Sequence, residues 1–279
     1  MVPKVALVTG ATSGIGLETA KSLARKDYTV IMACRDMDKG ACLVADMISQ
    51  DERADVHILP VDMASLQSVR EFVELFTAKH DKLDVLVNNA GAFYDSQKKT
   101  EDGFEMTMGV NYLAPFLMTR LLLPLIKHTA GARIINITSK AAFYAKLKPD
   151  GKIFSNNTYG FKAYAASKLA QILFTIDLAE ELKGTGVTVN AAYPGRVATN
   201  IWQGNSFLMK IVAPIMTRKS ISAVEGAKTG VHLAVSPDVE GITGKLFYHE
   251  ALMDYNQTCL DEWLRKKVMQ LSFDAVDIS

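Results

Sequence analysis

Cysteine is scarce in this chain: Cys34, Cys42 and Cys259 are the three among 279 residues. Their number is odd and their spacing is not that of metal ligands. They read as free thiols in a reducing compartment, which excludes a disulfide framework and a zinc module. A charge excess is also missing. The formal net charge is +1, so no overall field draws nucleic acid or an anionic membrane, and partners must be argued from sites. The first apolar run starts at Val5, leaving no space ahead of it for a signal peptide or membrane anchor. The richest run, "LLLPLI" at 121–126, is short of a bilayer span and contains Pro124. Lipidation and retrieval motifs, Gly/Ser or Pro-rich tracts, internal repeats and long charge blocks are all lacking. The expectation is a cytoplasmic protein without a membrane anchor, folded as a single domain over 1–279.

What the chain does have is 49% apolar residues against 22% charged, enough for a sizeable core. Short β-branched runs recur at 4–10, 28–34, 56–61, 83–88, 132–139, 187–193 and 244–249. Between them, 15–26, 65–80, 104–128, 161–183 and 222–235 carry helical periodicity. Continuous apolar strands alternating with helices indicate a parallel sheet covered on both faces. The fold class is therefore α/β, one doubly wound domain of about seven parallel strands. Ligands in such sheets sit beyond the carboxyl ends of the strands, so the residues there are read first.

After the first run comes "TGATSGIG", 9–16. Gly10, Gly14 and Gly16 allow a tight turn and close backbone approach, and the helix opening near Ile15 offers amides to a phosphate. The bland reading is a turn; its place between first strand and first helix favours dinucleotide binding. The second run ends at Cys34 and Arg35. A guanidinium there suits the 2′-phosphate of NADP(H), with Ser13 and Lys39 as helpers, whereas on the bland view Arg35 is a solvated charge. Asp36 either serves the ribose or caps the next helix. Asp62 and Met63 end the third run, where Asp62 either accepts from an adenine amino group or caps a helix. The fourth ends in "NNAG", where Asn88 and Asn89 can bond exposed backbone and Ala90 and Gly91 leave room for a ribose; the alternative is a ligand-free turn.

"TGATSGIG", "LDVLVNNAG", Ser139, Tyr164-x-x-x-Lys168 and "PGRVAT" (194–199) occur in the order of the short-chain dehydrogenase/reductase family, which the chain resembles over nearly its whole length. "ACRD", "TEDGFEMTMGVNYLAPF" (100–116) and "SKLAQILF" (167–174) are similar to its retinol dehydrogenase-like, NADP(H)-dependent branch. The resemblance implies a Rossmann fold and a catalytic set of Asn111, Ser139, Tyr164 and Lys168. It also implies cofactor contacts from Pro194, Gly195, Val197 and Thr199. Membrane-bound members of that branch carry an N-terminal anchor that this sequence does not show.

Tyr164 and Lys168 lie one helical turn apart and share a face, continued by Gln171 and Thr175. The bland reading packs the tyrosine in a core and lets the lysine snorkel outward. On the family's pattern, Lys168 and an oxidised nicotinamide lower the phenol's pKa, Tyr164 passes a proton to a carbonyl oxygen, Ser139 bonds that oxygen, and Asn111 holds a water against the lysine. Leu169, Ile172, Leu173 and Ile176 form one apolar stripe of this helix, and Ala166, Ala170 and Phe174 a second. One would cover the sheet; the family resemblance implies that the other serves as a subunit interface, giving a homodimer or homotetramer.

The resemblance implies a substrate lid at 197–220, where Trp202, Phe207, Leu208, Met209, Ile211 and Met216 read as an adaptable apolar wall or as core. An insert at 140–163, with Phe143, Tyr144, Phe154 and Tyr159, forms the opposite wall, and Phe93 and Tyr94 are weaker contributors. His57 and His128 lack ligand partners and read as structural. The expected activity is hydride transfer between NADP(H) and a lipophilic aldehyde, ketone or secondary alcohol. The alternatives are a catalytically silent NADP(H) sensor, or a biosynthetic ketoreductase or C=C reductase. A discriminating observation is NADPH consumption across a panel of hydrophobic carbonyls.

Overall fold

The first strand, β1 (Lys4–Thr9), is buried from Val5 onward. Ala6 and Val8 point into one apolar layer, Val5 and Leu7 into the other, as the two-residue period of a strand dictates. The strands that follow are β2 (Tyr28–Cys34), β3 (Val56–Pro60), β4 (Val85–Asn88), β5 (Arg133–Ile137), β6 (Thr188–Tyr193) and β7 (Leu246–Tyr248), and β2 and β4 alternate between the two layers in the same way. These seven expected strands pair in parallel, and a short β8 (Ala251–Met253) adds antiparallel to β7. The order is β3-β2-β1-β4-β5-β6-β7-β8, so the chain reverses direction of winding between β1 and β4 and opens a crevice there. The computed structural model describes residues 3–147, 153–154, 158–197 and 220–278.

Helices cover both faces. One layer holds α1 (Gly14–Ala24), α2 (Met37–Gln50) and, after the lid segment, α6 (Ala223–Val235). The other holds α3 (Leu66–Thr77), α4 (Met106–His128), α5 (Phe161–Glu181) and α8 (Glu262–Val276), preceded by a short α7 (Gln257–Leu260). Local chemistry sets their starts: Asp36, Ser65, Glu105, Ser222 and Asp261 each accept a backbone N–H of the first turn. Asp36 thus serves as the cap of α2, taking Lys39 N–H at 2.9 Å.

Three sequence expectations change. The apolar run around Pro124 belongs to a continuous helix, α4, that is long and apolar enough to cross a membrane by length and composition, and 78% of its most apolar stretch is buried inside the protein. Pro124 does not end it. Asn88 does not reach exposed backbone: it is fully buried and donates to Thr119 and Asn136, both at 2.9 Å. The second stripe of α5 is covered by this same chain. Phe174 packs on Phe116, which meets Phe273 of α8 edge-on, while Arg265 and Lys266 of α8 pair with Asp177 and Glu180 of α5. The polar, sparsely apolar sequence of α8 hid this role.

Candidate active site

The turn after β1 is built around glycine. Gly10 and Gly14 have φ of +64° and +56°, where a side chain is strained. Gly16 answers a different need: a Cβ there would lie 2.3 Å from Asn89 Nδ2 and 2.4 Å from the Gly10 carbonyl oxygen. Asn89 occupies that space because its amide donates to the carbonyls of Thr9 (2.8 Å) and Gly10 (3.2 Å). Thr9, which the motif reading passed over, accepts the N–H groups of Asn89 and Ala90, each at 3.0 Å. A threonine closing an otherwise apolar strand was the available signal.

This turn floors a crevice of about 690 Å³. Gly10, Ser13, Gly14, Ile15, Arg35, Asp62, Met63, Asn89, Ala90 and Gly91 line it. Gly16 does not; it lets α1 approach β4. The N-terminus of α1 faces the crevice with Ser13 making no side-chain cap and no acid in the first turn, so its leading amides are available to an anion. Arg35 is 74% exposed on its side chain and sits 3.9 Å from Asp62, whose other oxygen accepts Ala64 N–H at 2.9 Å. Two glycines at positive φ, an uncapped helix start and an exposed guanidinium only loosely paired with Asp62 fit a dinucleotide. Val197 packs with Ile15 and Ala227 beside the turn, and Gly195 (φ +87°) follows Pro194 near Tyr248. Thr199, most of the lid and its six apolar residues, and 148–152 and 155–157 of the insert lie outside the described residues.

Beyond the crevice lie the other named residues. Tyr164 is 6% exposed and makes an edge contact with Phe93, ring centres 6.0 Å apart; Phe93 also lines the crevice. Ser139, at the end of β5, hydrogen-bonds the Tyr164 hydroxyl. Lys168 is buried, its Nζ 5.8 Å from the Tyr164 ring centre. It donates to the Ile137 carbonyl (2.9 Å) and to Gln171 Oε1 (3.0 Å). A Cβ on Gly91 would stand 3.7 Å from that Nζ, so the amine lies behind Gly91, a residue of the crevice lining. The Asn111 side chain is committed elsewhere: Oδ1 accepts Ala92 N–H at 2.7 Å, and Nδ2 donates to the Ala92 carbonyl (3.0 Å) and Ser167 Oγ (3.2 Å). Lysine and asparagine are therefore linked through Gln171, whose Nε2 donates to the Asn111 carbonyl at 2.8 Å.

Burial sets the protonation of this pair. It pushes the Tyr164 phenol above the ordinary tyrosine value, with the Ser139 hydrogen bond opposing and Tyr193 adding to the rise. It pulls the Lys168 ammonium down to about 7. The expected lowering of the phenol is thus not a property of the chain alone. With desolvation dominant, Tyr164 is held as a proton donor.

Among the aromatic residues, Phe154 stacks on Tyr112 in the core (5.9 Å) and is not a wall of the site. Tyr144 and Tyr159 are exposed. Tyr193, stacked on Tyr248 at 4.7 Å, was not singled out from sequence, yet it is close enough to affect Tyr164. His57 pairs with Asp55 and His128 with the Pro124 carbonyl; no metal-binding cluster occurs among the described residues.

Residues 4–206 match the family model described as short chain dehydrogenase. The mouse protein retinol dehydrogenase 12 is 39% identical over 244 residues, covering 88% of this chain and 77% of that protein. Human retinol dehydrogenase 14 is 38% identical over 287 residues, with 96% and 85% covered. Among solved structures, an uncharacterized protein from Mycobacterium paratuberculosis superposes with a TM-score of 0.79 at 27% identity, covering 99% of this chain and 94% of that one. A short chain dehydrogenase of Escherichia coli CFT073, complexed with NADPH, shares the fold with a TM-score of 0.71 at 23% identity, over 89% and 97% of the two chains. The glycine turn, the strand order and the tyrosine–lysine helix have one common explanation: this chain is an oxidoreductase of the short-chain dehydrogenase family, with retinol dehydrogenases among its relatives.

Proposed function

We propose that this protein is an NADP(H)-dependent oxidoreductase acting on a lipophilic aldehyde, ketone or secondary alcohol, with Tyr164 as general acid and base. The observation that carries the reading is Tyr164 bonded to Ser139, with the Lys168 amine 5.8 Å from its ring and next to Gly91 of the crevice lining. Gly10, Ser13, Gly14, Ile15 and Arg35 would hold the dinucleotide, with Arg35 serving a 2′-phosphate. When bound, NADPH supplies a hydride to the carbonyl carbon of the substrate.

The chain's own part is the proton step. Tyr164, kept neutral by burial, gives its phenolic proton to the substrate oxygen, which becomes the alcohol hydroxyl. Ser139 donates to the same oxygen and resists charge build-up there. The ammonium form of Lys168 then stabilises the phenolate left on Tyr164. Oxidation of an alcohol runs these steps backward. Phe93, Tyr94, Met106 and Val110 line the crevice and favour an apolar substrate, as do relatives named retinol dehydrogenases.

The test is steady NADPH oxidation with hydrophobic aldehydes and ketones, with product analysis showing the alcohol. Cofactor binding without turnover across the whole panel would instead mark a sensor, and saturation of a C=C bond would mark another reductase class.

A further inference from the structure

We propose that Gln171 is a positioning residue of the active site: its carboxamide spans from the Lys168 amine to the main-chain carbonyl of Asn111 and holds the amine beside Gly91, behind the crevice lining. This rests on the hydride-transfer reading above.

The argument begins with Pro115. In α4 the chain makes a wide turn over Gly109–Leu113, where the N–H of Ala114 reaches back to Gly109. In an α-helix the Asn111 carbonyl would accept from the residue four positions on, and that residue is Pro115, which has no N–H. No α-helical N–H therefore reaches this buried carbonyl. Gln171 Nε2 donates to it at 2.8 Å, across 60 residues of sequence.

The other end of the same amide meets the opposite need. Lys168 sits 3% exposed, and a buried ammonium requires acceptors. It finds two, the Ile137 carbonyl at 2.9 Å and Gln171 Oε1 at 3.0 Å. An ammonium has three donors, and these acceptors account for two of them, with Gly91 as a near neighbour of the amine. Donor and acceptor ends of the carboxamide can be assigned in one way only, because the carbonyl cannot donate and the ammonium cannot accept. The backbone of Gln171 is also engaged: Thr175 Oγ1 donates to its main-chain carbonyl at 2.8 Å, and Asn136 Nδ2 donates to Thr175 Oγ1 at 2.9 Å. Position 171 therefore demands one acceptor and one donor at glutamine's reach. Methionine offers neither, and glutamate sets an oxygen against the Asn111 carbonyl while adding a charge beside the lysine. Tyr164, with Tyr193 beside it, supplies the titratable groups facing the amine among the described residues.

The experiment compares wild type, Gln171→Met and Gln171→Glu by two readouts. One is the pH profile of kcat for NADPH-driven reduction of whichever panel carbonyl the wild type accepts. The other is the titration midpoint of Lys168 in the protein without cofactor, followed by lysine ¹³C NMR and assigned with Lys168→Met. For Gln171→Met we expect kcat to fall about tenfold with substrate KM within about twofold, and the Lys168 midpoint to move below the wild-type value. For Gln171→Glu the midpoint moves up and the alkaline limb of the kcat profile follows it. A folded Gln171→Met protein with an unchanged midpoint and unchanged kcat profile overturns the proposal. Should that variant fail to fold, Gln171→Glu decides: a raised midpoint supports the contact, and an unchanged one removes it. If the wild type reduces nothing in the panel, the hydride-transfer reading fails, and the midpoints still decide whether Gln171 governs the amine.

Discussion

Lys168 Nζ stands 5.8 Å from the ring centre of Tyr164, one turn along the same helix, with both side chains buried. Neither group is in its ordinary state. The phenol is pushed up, the ammonium is pulled down to about 7, and desolvation leads both shifts. Such a pair keeps a proton on the phenol and leaves the amine's charge responsive near neutrality.

Replacing Tyr164 by Phe removes the transferable proton and little volume. Turnover is expected to fall by about 10³-fold, within the span of general acid–base contributions. NADPH affinity, followed by fluorescence titration, is expected to stay within about twofold, because the phosphate-facing turn is untouched. Near-normal turnover in this variant would dismiss Tyr164 as the acid.

Lys168 links catalysis to stability. Its folded pKa of about 7 lies below the usual lysine value of 10.5, so between those limits the unfolded chain binds the extra proton. Folding stability from this group therefore rises as pH climbs from about 7 toward 10.5, and is flat below about 7. Lys168→Met is expected to lose that slope in urea titrations run across the window. A slope identical to wild type would place the titration elsewhere.

Arg35 is exposed and pairs only loosely with Asp62, at 3.9 Å. Arg35→Asp is expected to weaken NADPH by about tenfold, the order of one charge-assisted contact, and NADH by much less. Kd values for both nucleotides make the comparison. An unchanged ratio would take Arg35 out of the site.

Gly16 leaves no room for a methyl group. Gly16→Ala forces a Cβ to within 2.3 Å of Asn89 Nδ2, so Asn89 or the Gly10 turn must shift. A stability loss of about 1–3 kcal/mol is expected, as for overpacking, together with weaker dinucleotide binding. Denaturant midpoints at constant m-value test the first part. Full stability would mean that α1 gives way at little cost.

Much of this was legible beforehand. The seven parallel strands and the first glycine turn were open to reading because alternation and turn chemistry are local. Tyr164 and Lys168 could be placed on one helix face from spacing, but their role, and that of Ser139, came from the family resemblance. β8 was not legible, since three residues at an exposed edge carry no period. Nor was α8's place: its polar surface resembles any solvated helix until Arg265 and Phe273 meet α5.

The sequence by itself determined the elements, their order and which side chains stand at the strand ends, because those depend on neighbours a few residues away. Only the tertiary structure decided that Asn88 is a buried network residue, that Gly16 makes room for Asn89, and that Gln171 joins Lys168 to Asn111. It alone set the protonation bias of Tyr164 and Lys168. Desolvation and hydrogen bonds between distant segments depend on what the fold packs around a group, and no local pattern encodes that.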